Sequence, residues 1–308
     1  MIRMPGKSYT GPLPPLSEEE VVLVGGLRRD VKRLAGEIGE RNVWQYHSLL
    51  TAGEFIADSL KQAGYEVRRQ EYEVGGRTCS NLEVEVSAAN QSREIVIVGA
   101  HYDSVFRCAG ANDNATGTAS VLALAQAFAG RQISRNLRFV AFVNEEPPHF
   151  QTEAMGSLVY ARRCRQRGEK VVAMLSLETI GYYSDEEGSQ SYPAPLSLFY
   201  PTTGNFICFV GNLSSRRLTH EVVASFRAHA KFPSEAATLP ASIPGVGWSD
   251  HWAFWQQGYP AIMVTDTALF RYPQYHSKDD TPHRINYERL ARVVAGLKRV
   301  VEDLVNKD

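Results

Sequence analysis

The sequence Glu94-Ile-Val-Ile-Val98-Gly-Ala-His101-Tyr-Asp103 joins a short apolar run to a histidine and an aspartate. A short run of apolar, β-branched residues is typical of a buried strand. Polar residues that follow such a run lie at the carboxyl end of the strand. The stretch therefore predicts a buried strand that presents His101 at one edge of a sheet.

Apolar runs of the same kind recur further along the chain. Residues 137–143 and 171–177 predict two more buried strands, and residues 66–74 and 81–86 predict a hairpin that turns at Gly75-Gly76. Helical patterns separate most of the later strands. This alternation predicts an α/β fold, a three-layer sandwich with a mixed but mostly parallel central sheet and helices on both faces.

The length and charge of the chain limit its organisation and its partners. Its 308 residues suit one large α/β domain, which we expect over residues 17–308, after an extended N-terminal arm over residues 1–16. The net charge of −1 gives no electrostatic support for binding nucleic acid or an acidic membrane surface. No apolar run reaches the length that spans a bilayer.

The cysteines and the N-terminus bear on the compartment. The four cysteines lie far apart and form no C-x-x-C pair, which favours free thiols in a reducing compartment. One disulfide in an exported protein is the alternative. The N-terminus lacks the apolar core of a signal peptide. We therefore expect a cytoplasmic protein, with export open if the sequence is trimmed before Met1.

Carboxylates follow two of the predicted strands. The pair Glu145-Glu146 comes just after residues 137–143, and Glu178 comes directly after residues 171–177. Sites in open α/β sheets form outside the carboxyl ends of the strands. We therefore expect these carboxylates to converge with His101 at one edge of the sheet.

Two further candidates lie in loops. Asp113 precedes a predicted helix, and His276 follows the strand predicted for residues 261–265. Imidazole and carboxylate together bind zinc or a similar divalent ion, and one more carboxylate beside a ligand suits a general base. The candidate metal ligands are thus His101, Asp113, Glu146, Glu178 and His276.

Most of these candidates also have an ordinary structural explanation when they are taken alone. A histidine after a strand is usually a satisfied polar group, and Asp113 suits a helix N-cap. The pair Glu145-Glu146 suits a solvated turn before two prolines, and His276 suits a surface loop. Only their expected convergence favours a functional site.

Other hydrolase motifs are incomplete. The stretch Ser249-Asp-His251 resembles parts of a catalytic triad, but three consecutive residues on a helix cannot face one another. His220-Glu221 lacks the second histidine of H-E-x-x-H, and no G-x-S-x-G is present. A supporting or structural role for Ser249-Asp-His251 fits better.

A set of motifs between residues 96 and 285 resembles a known family. The set resembles the co-catalytic zinc aminopeptidase family, which includes bacterial leucyl aminopeptidases, aminopeptidase Y, glutamate carboxypeptidase and the glutaminyl cyclases. The motifs that carry the resemblance, in chain order, are His101-Tyr-Asp-Ser104, Gly110-Ala-Asn-Asp-Asn-Ala-Thr-Gly117, Asn144-Glu-Glu146, Leu177-Glu-Thr-Ile-Gly181, Ser249-Asp-His-x-x-Phe254 and His276-Ser-x-Asp-Asp-Thr281.

The resemblance implies two zinc ions with Asp113 between them. His101 and Glu178 would complete one zinc site. Glu146 and His276 would complete the other.

The resemblance also implies the catalytic roles. Glu145 would be the general base, and Tyr275 would help to hold the oxyanion, by analogy with the carboxypeptidase branch. The chain departs from the family at Glu178, where aspartate is frequent, and the longer side chain could alter metal spacing and affinity.

We therefore expect a metal-dependent aminopeptidase that acts on peptides. One alternative is a glutaminyl cyclase with a single zinc, and another is a non-catalytic binding module on the same fold. Aromatic residues near the candidate ligands suit either a substrate pocket or the core; they are Phe150, Trp248, Trp252, Phe270 and Tyr272.

Overall fold

The computed structural model describes residues 4–307, which form a mixed sheet of eight strands with helices packed on both faces. This architecture confirms the predicted α/β class. No helix in this described part of the chain combines the length and the apolar character needed to cross a membrane. The strands are β1 (Arg68–Val74), β2 (Arg77–Val86), β3 (Glu94–His101), β4 (Asn136–Phe142), β5 (Lys170–Glu178), β6 (Ile207–Gly211), β7 (Ser234–Thr238) and β8 (Ala261–Thr265).

Seven α-helices surround this sheet in residues 4–307. The first continues into a π-helical segment, Lys32–Ile38. The helices are α1 (Glu18–Val31), α2 (Tyr46–Gln62), α3 (Thr116–Phe128), α4 (Gly156–Gln166), α5 (Arg216–His229), α6 (His251–Gln256) and α7 (Tyr287–Val305).

The strand order is β1-β2-β4-β3-β5-β8-β6-β7. The four central strands, β4, β3, β5 and β8, are parallel to one another. The strand β2 is antiparallel to β4, and β6 is antiparallel to β8, while β6 and β7 form a parallel pair. The carboxyl ends of the central strands therefore lie at one edge of the sheet, as the sequence predicts.

The strand β3 shows how the two helical layers cover the sheet. Because successive side chains of a strand point to opposite faces, its apolar residues divide between two cores. Val96 and Val98 join the large core beneath α1, α2, α3, α5 and α7. Ile95 and Ile97 join a smaller core beneath α4 and α6. A continuous apolar run is thus what a strand covered on both faces requires.

The strand β7 is not predicted by the sequence pattern. Its residues, Ser234-Glu-Ala-Ala-Thr238, include no large apolar side chain. The segment becomes a strand because it pairs in parallel with β6, with Cys208 opposite Glu235. Strand propensity depends strongly on such tertiary pairing, and a single sequence does not show it.

The N-terminal segment lies against α5 and β7. Residues 1–3 of the predicted arm fall outside the described residues, and residues 4–16 contain no helix or strand. Arg227 on α5 donates to the carbonyl oxygen of Pro5 at 3.1 Å. The amide of Ser234 donates to the hydroxyl of Ser8 at 2.9 Å. These bonds tie the segment to the edge of the sheet.

His251, at the start of α6, is a fully buried histidine. Its Nε2 lies 2.8 Å from the carbonyl oxygen of Val246, and its ring meets Trp255 edge-on with the centroids 4.5 Å apart. Burial lowers the pKa of His251 from 6.5 to about 4, although the hydrogen bond to Val246 opposes this shift. The unfolded chain therefore takes up this proton at a higher pH than the folded chain.

We predict that the stability linked to His251 is present above about pH 6.5 and is lost as the pH falls toward 4. Between pH 7 and pH 5, the wild-type protein should lose about 2 kcal/mol more unfolding free energy than the His251→Gln variant. Glutamine keeps a donor for Val246 but does not titrate. Urea unfolding at both pH values measures the difference.

The control is His47→Gln, because His47 is exposed. That variant should follow the wild-type pH dependence. If the His251→Gln variant lost as much stability as the wild type over this range, His251 would not titrate as the structure requires.

Candidate metal centre

The first part of the candidate centre lies where β3 and β5 end side by side. His101 is the last residue of β3, and Glu178 is the last residue of β5. The Nε2 atom of His101 lies 3.2 Å from Oδ1 of Asp113 and 3.2 Å from Oε2 of Glu178. These three buried side chains therefore converge, although the sequence separates His101 and Glu178 by more than seventy positions.

The second part uses the other oxygen of Asp113. The Nε2 atom of His276 lies 3.0 Å from Oδ2 of Asp113 and 3.3 Å from Oε2 of Glu146. Asp113 thus joins two groups of three side chains, each with one histidine and two carboxylates. The structure brings all five candidate ligands together at the predicted edge of the sheet.

The donor atoms of these two groups suit divalent cations. Two ligand atoms on a tetrahedral zinc ion with bonds of about 2.0–2.2 Å lie roughly 3.3–3.6 Å apart. The separations measured here are 3.0–3.3 Å. Among residues 4–307, both ring nitrogens of His101, Oδ1 of Asp113 and Oε1 of Glu146 are buried without a hydrogen-bond partner. Buried nitrogen and oxygen atoms are rarely left without a partner, and a divalent cation bound to these atoms would be such a partner.

The buried carboxylate of Asp113 is stabilised by positive charge beside it. Burial would raise the pKa of Asp113, but His101 and His276 outweigh burial and hold this pKa below its ordinary value. Burial would lower the pKa of His276, but hydrogen bonds with Asp113 and Glu146 raise it to about 10. Positive charge beside Asp113 thus stabilises its carboxylate, and a divalent cation bound there would supply this charge in place of protons on the histidines.

Glu145 lies beside the first group and forms a third group of candidate donor atoms with His101 and Glu146, which does not include Asp113. Its Oε2 atom lies 3.8 Å from Nε2 of His101, and the side chain is buried. Burial raises the pKa of Glu145 well above its ordinary value, and the neighbouring Glu146 and Glu178 act in the same direction. A carboxylate with a raised pKa can both accept and return a proton near neutral pH.

Asp103 holds the two glutamates in place. Its carboxylate accepts hydrogen bonds from the backbone amides of Glu145 and Glu146, each at 3.1 Å. The same carboxylate lies 3.6 Å from Nδ1 of His101, which is too long for a hydrogen bond. Asp103 is close to His101 in the chain, but its hydrogen bonds in the structure fix the turn that carries the two glutamates.

Asp280 fixes the loop that carries Asp113. Its carboxylate accepts hydrogen bonds from the backbone amides of Asn112 at 2.8 Å and Asp113 at 3.1 Å. The hydroxyl of Tyr272 donates to it at 2.9 Å. Sequence reasoning did not assign this role, because it depends on a contact between residues more than 160 positions apart.

The helix that follows Asp113 is capped by a different side chain. Oδ1 of Asn114 accepts hydrogen bonds from the amides of Gly117 at 3.0 Å and Thr179 at 3.2 Å. Gly110, which starts the loop, has φ of +62°, and a Cβ there would collide with the carbonyl oxygen of Asp113. The simple N-cap explanation for Asp113 is therefore wrong, since its carboxylate faces the two histidines.

The residues Ser249, Asp250 and His251 do not form a triad. The hydroxyl of Ser249 donates to Oε2 of Glu178 at 2.7 Å, whereas His251 lies against the carbonyl oxygen of Val246. Asp250 is buried, and burial raises its pKa to about 7. Ser249 thus supports a candidate ligand, which agrees with the supporting role expected for this stretch.

Tyr275 lies between the candidate centre and a neighbouring cavity. Its ring stacks on His276 with the centroids 3.9 Å apart, and it lines the cavity beside Glu178. Burial raises the pKa of Tyr275 well above its ordinary value, and the nearby carboxylates add to the effect. The phenol therefore stays protonated and remains able to donate a hydrogen bond.

The aromatic candidates divide between this cavity and the core. Trp248 and Phe270 line the cavity. Phe150 and Trp252 pack against the core beneath α4 and α6, and Tyr272 is buried beside Asp280.

The four cysteines are free and buried, and the thiol of Cys108 lies 2.9 Å from the carbonyl oxygen of Ser277.

Comparison with known proteins bears on the family of the chain. The model of Peptidase family M28 matches residues 81–301. The chain is 34% identical over 280 residues to the uncharacterized protein YfbL of Escherichia coli (strain K12), and the match covers 88% of this chain and 85% of YfbL. A probable leucine aminopeptidase of Arthroderma otae is 27% identical over 222 residues, which cover 67% of this chain and 54% of that protein. The chain thus spans about half the length of this fungal relative.

Solved structures share the fold. BSAP, a zinc aminopeptidase from Bacillus subtilis, aligns with a TM-score of 0.71 at 16% identity over 92% of this chain and 95% of its own. A glutaminyl cyclase from Fimbriiglobus ruber aligns with a TM-score of 0.67 at 20% identity over 96% and 97% of the two chains. The family model matches more than half of the chain, so this chain belongs to Peptidase family M28.

Proposed function

We propose that this chain is a zinc-dependent aminopeptidase that removes N-terminal residues from peptides. The observation that carries the proposal is the position of Asp113, whose two carboxylate oxygens face different histidines at 3.2 and 3.0 Å. Membership of Peptidase family M28 supports peptide hydrolysis, and the zinc aminopeptidase BSAP shares the fold.

The proposed ligand assignment follows the two groups of side chains. Asp113 would help to hold both ions. His101 and Glu178 would complete one site, and Glu146 and His276 the other. When bound, the two ions would lower the pKa of a water molecule toward neutrality and polarise the substrate carbonyl.

Glu145 is the proposed general base. Its carboxylate would take a proton from the attacking water while the water oxygen forms a bond to the carbonyl carbon of the peptide. As the carbon–nitrogen bond breaks, Glu145 would return that proton to the leaving amine. The raised pKa of Glu145 and its position beside His101 support this role.

Tyr275 is proposed to stabilise the developing oxyanion. Its phenol is protonated, and its ring is fixed by stacking on His276. A donor held in place before the reaction costs little reorganisation when negative charge develops on the carbonyl oxygen. The stacked ring would also exclude water from one side of the centre.

A single-zinc glutaminyl cyclase is the second candidate, because a protein of that name shares the fold over 96% of this chain. Two complete groups of donor atoms favour two ions, and hence hydrolysis, over that reaction. A non-catalytic binding module would not require Glu145 in addition to the five candidate ligands.

The first prediction separates the base from the ligands. Glu145→Gln should lower kcat by about 10²–10⁴-fold while two zinc ions per chain remain, because the base does not hold metal. Asp113→Ala should lose both metal and activity. Hydrolysis of an aminoacyl 4-nitroanilide and elemental analysis of the purified proteins measure the two quantities.

The matched control is Glu153→Gln, which changes an exposed glutamate a few positions along the chain. It should retain wild-type turnover and metal content. Turnover by Glu145→Gln within a few-fold of wild type would refute the assignment of the base.

The second prediction separates hydrolysis from cyclisation. A peptide with N-terminal glutamine should release free glutamine. A chelator should abolish the reaction until zinc is restored, because the proposed hydrolysis depends on zinc bound at the candidate centre. Mass spectrometry distinguishes the products. Formation of the pyroglutamyl peptide, without release of glutamine, would instead support the cyclase.

A further inference from the structure

A cavity opens beside the candidate centre and extends across the sheet toward its β7 edge. It encloses about 780 Å³, part of which is open to solvent, and Glu178 and Tyr275 lie at the end nearest the centre. Most of its wall is apolar. The side chains that form this apolar wall include Tyr192, Leu196, Tyr200, Phe206, Met263 and Phe270.

One acidic side chain other than Glu178 lines this cavity. Glu235 on β7 pairs with Cys208, which pairs with Thr265, which pairs with Glu178. Paired residues of neighbouring strands point to the same face of a sheet. The four residues therefore form one row on the cavity floor, and three strand spacings place the Cα atoms of Glu235 and Glu178 roughly 14 Å apart.

The carboxylate of Glu235 is half-buried and has no hydrogen bond or ion pair to any residue between 4 and 307. Arg227 is the nearby cation, but its guanidinium is bound to Ser234 and to the backbone at Pro5. Burial raises the pKa of Glu235, and the charge of Arg227 only partly opposes this effect.

Arg271 is a second cation beside the cavity wall, with its guanidinium over the ring of Phe206. Its guanidinium donates to Gln190 at 2.7 Å and to the carbonyl oxygen of Phe206 at 2.7 Å. Neither arginine therefore neutralises Glu235 directly. A half-buried carboxylate in an apolar cavity is costly unless a ligand supplies the missing partner.

We propose that this cavity binds the side chain of the substrate's N-terminal residue and that Glu235 selects lysine or arginine there. The inference rests on the proposed aminopeptidase function for the position of the scissile bond. The long apolar stem of a basic residue would lie along the aromatic wall, and its charged end would reach Glu235. A leucine side chain would fill only the part nearest Glu178, and an acidic side chain would be repelled.

The test compares arginyl and citrullinyl 4-nitroanilides, which have nearly the same shape but differ in charge. A charge-assisted hydrogen bond to Glu235 should give the wild-type enzyme a kcat/KM about 10–100-fold higher for the arginyl substrate. In Glu235→Gln the ratio should fall to about one. Glu235→Asp keeps the charge on a shorter stem and should retain part of the preference.

The matched control is Glu66→Gln, because Glu66 is exposed and lies outside the cavity lining. This variant should keep the wild-type ratio. Thermal unfolding of each variant verifies that it is folded. A wild-type ratio near one, or a ratio that Glu235→Gln leaves unchanged, would overturn the proposed role of Glu235.

Measurements of amino-acid binding test the role of Glu235 independently of the proposed aminopeptidase activity. Calorimetry with free arginine and with citrulline needs no turnover, so an inactive protein still gives a result. Tighter binding of arginine that depends on Glu235, in a protein that hydrolyses no aminoacyl substrate, would support the cavity and refute the aminopeptidase. Equal binding of the two amino acids would overturn the selection by Glu235.

Discussion

The burial of ionisable side chains at one edge of the sheet is the constraint on which the rest of the structure depends. Four carboxylates of the candidate centre are at most 6% exposed, and only two histidines accompany them. Unpaired buried carboxylates cost several kcal/mol each, so the fold must supply positive charge or donors. Backbone amides donate to the carboxylates of Asp103 and Asp280, and these hydrogen bonds hold the loops that carry Asp113, Glu145 and Glu146. The four carboxylates are those of Asp113, Glu145, Glu146 and Glu178.

The sequence predicts the parts of this arrangement that depend on local pattern. The apolar run before His101 forms a strand, and the strands before Glu145 and Glu178 end at the same edge because parallel strands share their direction. The supporting contacts were not predictable in the same way. Asp280 bonds to the amides around Asp113 across more than 160 positions, and no local pattern marks a contact of that kind.

The strand β7 shows the same limit at the level of the fold. Ser234-Glu-Ala-Ala-Thr238 carries no alternating apolar pattern, so no local signal indicates a strand there or distinguishes Glu235. Pairing with β6 creates the strand and brings Glu235 into the row that ends at Glu178. The candidate catalytic residues thus lie at one edge of the sheet. The cavity proposed to determine substrate specificity lies on the adjoining face of the same sheet.

The central claim is that Asp113 lies between two metal ions. X-ray diffraction at the zinc absorption edge, on crystals grown with zinc, tests it most directly. The account predicts two anomalous peaks, one against each carboxylate oxygen of Asp113, with His101 beside the first and His276 beside the second. A single peak, or two peaks that Asp113 does not touch, would contradict the account.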